Sequence, residues 1–297
     1  MGSSRVRAEL AVDARAMIGE GPVWDDAGRR LLWVDIPEGI VHAFDPATGT
    51  SERRRLGQPV GSVALRRDGG LVAALRDGFG LFSARGQDAD EIIEIEKTLA
   101  ANRMNDGKCD CRGRFWAGTM ATDHTPGAGT LYRLQRTSAG YAVSPEVAGV
   151  TVANGIDWSP DNRLMYYIDS PTQRIDVFDF DAERGALSNR RPLVQIAAAD
   201  GLPDGMTVDA EGHLWVALFR AGKVRRYGPD GSAGMEIDLP VTLVTSCAFG
   251  GPDLAALFIT TARHRLTAAE AAEQTTAGGL FVCRPGPVGR VPFLFAG

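Results

Sequence analysis

Six positions in the sequence could surround a single point, and most of them carry side-chain oxygen atoms. Each begins a segment of similar pattern, and the six are Glu20, Val60, Asp106, Asn154, Asp204 and Ser246. Five of these side chains bear oxygen and three are carboxylic acids. Carboxylates that converge repel one another unless a cation or protons compensate. Oxygen donors of this kind suit a hard divalent ion, calcium or magnesium. For any single residue beside a glycine, a local turn in which the side chain binds its own backbone is the alternative.

The segments that follow these positions share one pattern. In the segment 152–170, an apolar strand, a polar turn and a second strand with aromatic residues follow one another. Related segments recur every 40 to 50 residues, and a third strand and a weaker fourth follow each one. Four strands per unit predict the blades of a β-propeller. A single sheet cannot bury both of its faces, so blades stack around an axis. We therefore expect an all-β, six-bladed propeller of four antiparallel strands per blade, as one domain over 1–297. A β-sandwich or a two-domain all-β protein is the alternative.

The direction of the strands decides which residues share a face. Because successive strands run antiparallel, the starts of the innermost strands and the connections between second and third strands lie together at the top of the channel. The ligand and metal site is predicted there. Acids in the turns at the opposite end, such as Asp25 and Asp209, are expected to be solvated. Either the segment 7–15 or the segment 291–297 could close the ring. Within 264–278, Thr267 and Glu270 form a capping-box pattern that predicts a short helix, which could act as a lid.

Composition excludes several classes of function. The net charge is -5, and no Lys/Arg cluster occurs beyond 53–55, so a nucleic-acid partner is not expected. No 18-residue apolar run occurs, which predicts no membrane span. The four cysteines include no C-x-x-C pair and are expected to be reduced thiols, as in a cytoplasmic protein. Nucleophile-elbow, P-loop and dinucleotide motifs are missing from the sequence. The oligomeric state stays open.

Several longer strings resemble a known family. They are GEGPVW (19–24), NRMNDGK (102–108), GRFWAGTM (113–120), VANGIDWSPD (152–161), DGLPDGMTVDAEGHLWVA (200–217) and TSCAFGG (245–251). On these strings, which spread over nearly the full chain, the protein resembles the senescence marker protein/gluconolactonase/luciferin-regenerating enzyme family. The resemblance implies a six-bladed propeller that holds one divalent metal ion and hydrolyses sugar lactones. Calcium is the favoured ion, and zinc, magnesium or manganese are alternatives.

The resemblance also implies roles for particular residues. The family's metal ligands match Glu20, Asn154 and Asp204, three positions that the repeat had already selected. Its substrate-contacting residues match Arg103 and Asn105. Asp123 stands where one branch of the family has a substrate-binding glutamate, and its side chain is one methylene shorter.

The function that we expect is metal-assisted hydrolysis of a small aldonolactone, such as gluconolactone, to the open-chain acid. Asp204 would be the general base for the attacking water, unless Asp106 shares this work. Arg103 and Asn105 would hold hydroxyl groups of the ring. A propeller that binds calcium or a protein partner without catalysis is one alternative, because fold does not determine function. A metal-dependent hydrolase of a non-sugar lactone or an organophosphate is another.

Overall fold

The computed structural model describes residues 5–84, 86 and 88–297, and its strands form six sheets around a central channel. The predicted domain also includes residues 1–4, 85 and 87, which lie outside the described residues. Each sheet has at least four strands, and consecutive strands of a blade pair antiparallel. The prediction of a six-bladed propeller is confirmed.

The strands are numbered in chain order, and the innermost strand of each blade comes first. Two strands precede the first blade: β1 (Arg5–Arg7) and β2 (Glu9–Val12). Blade one contains β3 (Gly19–Asp25), β4 (Arg30–Asp35), β5 (Ile40–Asp45) and β6 (Thr50–Arg55). Blade two contains β7 (Val60–Leu65), β8 (Leu71–Leu75), β9 (Gly78–Phe82) and β10 (Glu91–Glu94). Blade three contains β11 (Asn102–Cys109), β12 (Phe115–Ala121), β13 (Gly129–Thr137) and β14 (Gly140–Val150).

The remaining blades follow the same order. Blade four contains β15 (Ala153–Trp158), β16 (Leu164–Asp169), β17 (Arg174–Asp181) and β18 (Ala186–Gln195). Blade five contains β19 (Leu202–Val208), β20 (Leu214–Phe219), β21 (Lys223–Tyr227) and β22 (Ala233–Asp238). Blade six contains β23 (Val244–Gly250), β24 (Ala256–Thr261) and β25 (Leu280–Cys283). Two short 3-10 helices, Ser170–Thr172 and Ala198–Asp200, lie in connections of blade four and before blade five.

The N-terminal segment closes the ring. Strand β2 pairs antiparallel with β25 as the outer strand of blade six, and β1 pairs parallel with β22 at the edge of blade five. The C-terminal segment does not form an outer strand. Its Phe295 makes an isolated parallel bridge to Arg66, and the Phe295 amide donates to the Leu65 carbonyl at 2.8 Å. Of the two candidate segments, the N-terminal one therefore provides the closing strand.

Apolar side chains fill the space between neighbouring blades. In the described part of the chain, one buried cluster lies at each of the six interfaces. Between blades one and six, Trp24 stacks on Phe258 with ring centroids 6.3 Å apart, and Trp116 meets Trp158 edge-on at 6.1 Å between blades three and four. A fully buried residue such as Phe258 contributes roughly 2–3 kcal/mol. Both faces of a blade are thus buried only when the ring of blades is closed.

A bulge near the start of each inner strand directs residues toward the axis. The register shifts at equivalent points, for example between Glu20 and Val23 in β3 and between Pro203 and Met206 in β19. At Gly61, an added Cβ would lie 2.2 Å from the carbonyl oxygen of Asn105. Glycine after the ring position therefore allows the inner strands to approach closely.

The long connection in blade six contains the helix α1 (Ala268–Glu273). The Thr267 hydroxyl accepts from the Glu270 amide at 3.2 Å, and the Glu270 carboxylate accepts from the Thr267 amide at 2.7 Å. This is the capping box of the sequence pattern, and the lid role stays a prediction. No helix in the described residues is both long and apolar enough to span a membrane.

The expectation of solvated acids at the bottom of the channel is wrong for Asp25 and Asp209. These residues are 7% and 0% exposed. Asp209 accepts hydrogen bonds from Trp215 Nε1 at 2.9 Å and from Arg226 at 2.6 Å, and Asp25 accepts from Arg30 at 3.1 Å. These buried acids are paired with arginines of the same blades, which compensate their charge.

Candidate active site at the top of the channel

The residues predicted for metal and substrate, except Asp123, meet in one cavity of about 380 Å³. Glu20, Asn154 and Asp204 line it, together with Arg103 and Asn105. Glu20 and Asn154 are buried, whereas Asp204 is partly exposed toward the cavity. The wall is completed by residues from the top connections, including Ile18, Pro37, Met120, His124, Ser170, Phe219, Arg220, His264 and Arg265.

The acid cluster (Glu20, Asp106 and Asp204) carries strongly perturbed carboxyl groups. Burial, and after it the charges of Asp204 and Asp106, raises the pKa of Glu20 well above its usual range. Burial and Asp106 likewise raise the pKa of Asp204. Burial raises the pKa of Asp106 to about 6. The carboxyl groups of Glu20 and Asp204 lie close together, so a cation or a proton must offset the repulsion between their charges.

This donor set fits a hard divalent cation. Two carboxylates and one amide group line the same cavity, and a cation would compensate the repulsion between the carboxylates. Neither imidazole nor thiolate belongs to the converging set. The chemistry of the site therefore agrees with the predicted ligands, and their role in binding metal stays a prediction.

The local-turn interpretation describes part of the geometry. Glu20 Oε2 accepts from the amide of Gly21 at 2.7 Å, and Asp106 Oδ1 accepts from the amide of Gly107 at 2.7 Å. Each carboxylate thus binds its neighbouring backbone through one oxygen. The contact orients the side chain and leaves the second oxygen for other partners, so a backbone contact and a shared site are compatible.

A directed chain of hydrogen bonds fixes the amide of Asn154. Arg103 Nη1 donates to Asn105 Oδ1 at 2.6 Å, and Asn105 Nδ2 donates to Asn154 Oδ1 at 2.8 Å. Asn154 Nδ2 then donates to Ser170 Oγ at 2.7 Å, and Ser170 donates to the carbonyl of Pro203 at 2.6 Å. Sequence reasoning missed Ser170. Its signal is weak, because a serine after strand β16 is an ordinary turn residue.

These bonds limit what Asn105 can do with a substrate. Its Nδ2 also donates to the carbonyl of Ala153 at 2.7 Å, so both amide hydrogens are used within the protein. Asn105 can offer a ligand only the remaining acceptor capacity of Oδ1. Its clearest function in this structure is to hold Arg103 and Asn154 in place.

Asp123 lies apart from the other predicted residues. It is exposed, and its Oδ1 accepts from the backbone amide of Thr125 at 3.0 Å and from the Thr125 hydroxyl at 2.8 Å. Hydrogen bonds from Thr125 lower the pKa of Asp123. Thr122 and His124 line the cavity from the same loop. Substrate binding by Asp123 stays a prediction, and His124, which the strand topology also places on the top face, is the residue of this pair that lines the cavity.

The lower channel is closed by the C-terminal segment. A cavity of about 70 Å³ beneath the acid cluster is lined by Lys108, Asp157 and residues 290–293. Lys108 Nζ donates to Asp157 Oδ2 at 2.8 Å, and Arg290 donates to Asp157 Oδ1 at 3.0 Å. The upper cavity is therefore entered from the top face.

Asp209, Glu211 and His213, at the bottom of blade five, could also offer three ligand atoms to a metal. The guanidinium group of Arg226 already bonds Asp209 at 2.6 Å and Glu211 at 2.5 Å. Because this cation supplies the compensating charge, we assign no metal to the cluster.

The fold and the site together define a six-bladed propeller with an oxygen-lined pocket at one end of its channel. Residues 18–263 match the model of the SMP-30/Gluconolactonase/LRE-like region, and the chain belongs to this family. It is 40% identical to the "Putative sugar lactone lactonase YvrE" of Bacillus subtilis over 98% of this chain and 99% of the relative. Regucalcin of Oryctolagus cuniculus is 37% identical, covering 99% and 100% of the two chains.

A solved structure shows the same architecture. The crystal structure of a calcium-binding protein, regucalcin, from Agrobacterium tumefaciens superimposes with a TM-score of 0.92. It is 28% identical to this chain, and the match covers 99% of both chains. The names of these relatives support a lactonase-type hydrolase.

Proposed function

We propose that this protein hydrolyses a small sugar lactone, an aldonolactone such as gluconolactone, to the open-chain aldonic acid with the help of one divalent cation. The observation that carries the proposal is the partly exposed carboxylate of Asp204 beside buried Glu20 and Asn154. A binding scaffold has no need for these groups together with Arg103 in one open cavity. The relatives named as lactonases support the same reaction class.

Glu20, Asn154 and Asp204 would hold the cation. Calcium is favoured because all three donors are oxygen atoms, and because the related Agrobacterium protein is described as calcium-binding. Magnesium, manganese and zinc are the competitors. When bound, such an ion would polarise the lactone carbonyl and stabilise the negative charge that develops on its oxygen.

Asp204 is the best-placed general base. Asp106 lines the lower cavity rather than the upper one, whereas Asp204 faces the space that a substrate would fill. The free oxygen of Asp204 would take the proton from the attacking water. Arg103 is held by its bonds to Asn105 and to the Met104 carbonyl and can donate its remaining hydrogens to ring hydroxyls. Burial lowers the pKa of Arg103 to about 10, so it stays a cation at neutral pH.

The test measures acid release from D-glucono-δ-lactone and several pentonolactones, with and without EDTA. Asp204→Asn should lower kcat at least about 100-fold, the lower end for loss of a general base. Asp161→Asn, which changes an exposed acid at the bottom of blade four, should leave kcat unchanged. Near-normal turnover by the Asp204 variant would exclude it as the base. If no lactone shows metal-dependent release above the spontaneous rate, the non-catalytic alternative is favoured.

We also infer a cytoplasmic location. The four cysteines are free thiols, and Cys109, Cys247 and Cys283 are buried. Unpaired cysteines are typical of a reducing compartment. Oxidation of the purified protein should yield no disulfide within the chain, which gel mobility with and without reductant would check.

A further inference from the structure

The mouth of the upper cavity carries more positive charge than a neutral lactone requires. Arg103, Arg220 and Arg265 all line the cavity. Among the described residues, the carboxylates of the same wall are Glu20 and Asp204, which are the proposed metal ligands. A divalent ion would neutralise these two acids, and three guanidinium groups would then face the substrate.

These arginines lack the acidic partners that other arginines of the chain have. Arg226 pairs with Asp209 at 2.6 Å. Within 5–84, 86 and 88–297, by contrast, Arg103, Arg220 and Arg265 form no ion pair. The charge of Arg220 lowers the pKa of Glu270, but the Glu270 carboxylate is committed to the capping box of α1. The three guanidinium groups are therefore available to a ligand.

Basic groups from opposite sides of the channel also crowd together. Burial and then the charges of Arg265 and Arg103 lower the pKa of His124, so these three residues lie near one another. Arg265 belongs to the long connection of blade six, whereas Arg103 and His124 belong to blade three. Arg265 Nε donates to His264 Nε2 at 3.2 Å. The charge of Asp123 opposes this shift only in the last place, and like charges held together favour an anionic ligand between them.

The turns at the rim share a left-handed backbone conformation. His124, Arg220 and Arg265 have φ values of 61°, 67° and 63°, and each lies in the connection between the second and third strands of its blade. The same connection reaches positive φ at Gln173 in blade four and at Gly39 in blade one. The conformation is therefore a feature of this connection in several blades, whatever the side chain.

We propose that the natural substrate is a lactone bearing a second, anionic group, a carboxylate or a phosphate, and that Arg220 and Arg265 bind this group at the cavity mouth. The inference rests on the proposed lactonase function and specifies its substrate class. Arg220 and Arg265 come from the adjacent blades five and six, and both are exposed at the rim. Guanidinium groups bind both kinds of anion through paired hydrogen bonds. Arg103, which lies deeper, would hold the ring.

The test compares kcat/KM for neutral D-glucono-δ-lactone, for 6-phospho-D-glucono-δ-lactone and for D-glucaro-1,4-lactone. We expect at least one anionic lactone to exceed the neutral one about tenfold, and the two anionic arms distinguish phosphate from carboxylate. Arg220→Gln and Arg265→Gln should each lower the anionic-to-neutral ratio about tenfold, as for one lost charge-assisted hydrogen bond. Arg163→Gln, which removes an equal charge at the bottom of blade four, should not change the ratio.

The outcomes separate this inference from the proposed function. If the neutral lactone is hydrolysed as well as both anionic lactones, the anionic-substrate inference is overturned and the lactonase function stands. If no lactone is hydrolysed, the lactonase function fails. Calorimetry with gluconate, 6-phosphogluconate and glucarate then tests the rim directly. About tenfold tighter binding of a doubly anionic ligand, lost in Arg220→Gln, supports the inference, and equal binding overturns it.

Discussion

Replacement of Ser170 by alanine should weaken metal binding although Ser170 is not a predicted ligand. Its hydroxyl is fully buried, accepts from Asn154 Nδ2 at 2.7 Å and donates to the Pro203 carbonyl at 2.6 Å. Ser170→Ala leaves one amide hydrogen and one carbonyl without these partners. Pro203 immediately precedes Asp204, so one end of the broken link is a predicted metal ligand and the other end adjoins one.

The structure sets the size of the expected effect. A buried polar group without a partner costs about 1–3 kcal/mol, so two such groups should lower the free energy of unfolding by about 2–6 kcal/mol. Loss of a residue that orients metal ligands lowers metal affinity about 10–100-fold. Asn105 still donates to Asn154 Oδ1 at 2.8 Å and keeps that oxygen oriented. We therefore expect the lower end of this range, an increase of about tenfold in the Kd for calcium.

Isothermal titration calorimetry gives the Kd, and urea unfolding in EDTA gives the stability. Ser159→Ala is the matched control, because Ser159 is also buried, accepts from the Leu164 amide at 3.0 Å and donates to Asp161 at 2.6 Å at the opposite end of the channel. It should lose stability and keep the wild-type Kd. A wild-type Kd in Ser170→Ala, or an equal loss of affinity in both variants, would refute the positioning role.

Three further predictions concern the acid cluster, the inner strands and the lower channel. In EDTA, the free energy of unfolding should fall as pH rises from 5 to 8. The carboxyl groups of the acid cluster have raised pKa values in the folded state (about 6 for Asp106) and ordinary pKa values in the unfolded state, so the folded state loses protons over this range. Calcium should therefore raise Tm more at pH 8 than at pH 5, and equal gains would contradict this. Gly61→Ala should lower the free energy of unfolding by about 1–3 kcal/mol and weaken calcium binding, because its Cβ would lie 2.2 Å from the carbonyl oxygen of Asn105. Urea titration measures the first effect and calorimetry measures the second. Arg290→Gln should cost about 1–3 kcal/mol in urea unfolding through its bond to Asp157, while KM for lactone stays at the wild-type value; a changed KM would show that the lower channel affects the upper cavity.

The fold could be predicted because every blade repeats the same local information. A strand, a turn and a second strand recur with a small residue after each ring position, and the register shift in β3 and in β19 follows from that spacing. Glu20, Asn154 and Asp204 converge in one cavity because they occupy the same position in their repeats. Which terminus closes the ring was not predictable, because strands β2 and β25 pair across almost the entire chain.

Contacts between strands that are not neighbours in the sequence decide the details that the sequence left out. Ser170 acts only because blade four packs beside the Pro203 carbonyl of blade five. Asp209 resembles any turn acid in the sequence, and its burial depends on Arg226, which arrives from strand β21. Single-strand patterns contain no information about such partners, so solvated and buried acids look alike.

The two parts of the upper cavity differ in the same way. The acid cluster lies on inner strands of nearly uniform length, so the positions of its acids repeat in the sequence and can be predicted from it. Arg220 and Arg265 lie in connections of unequal length, 220–222 in blade five and 262–279 in blade six. Only the longer one brings a guanidinium group near Arg103 and His124 of blade three. Under the proposed function, the repeat would encode the reaction type, and the segments that depart from the repeat would encode selectivity. Substitution of rim arginines should consequently change which lactone is preferred, whereas substitution of ring acids should abolish turnover of every lactone.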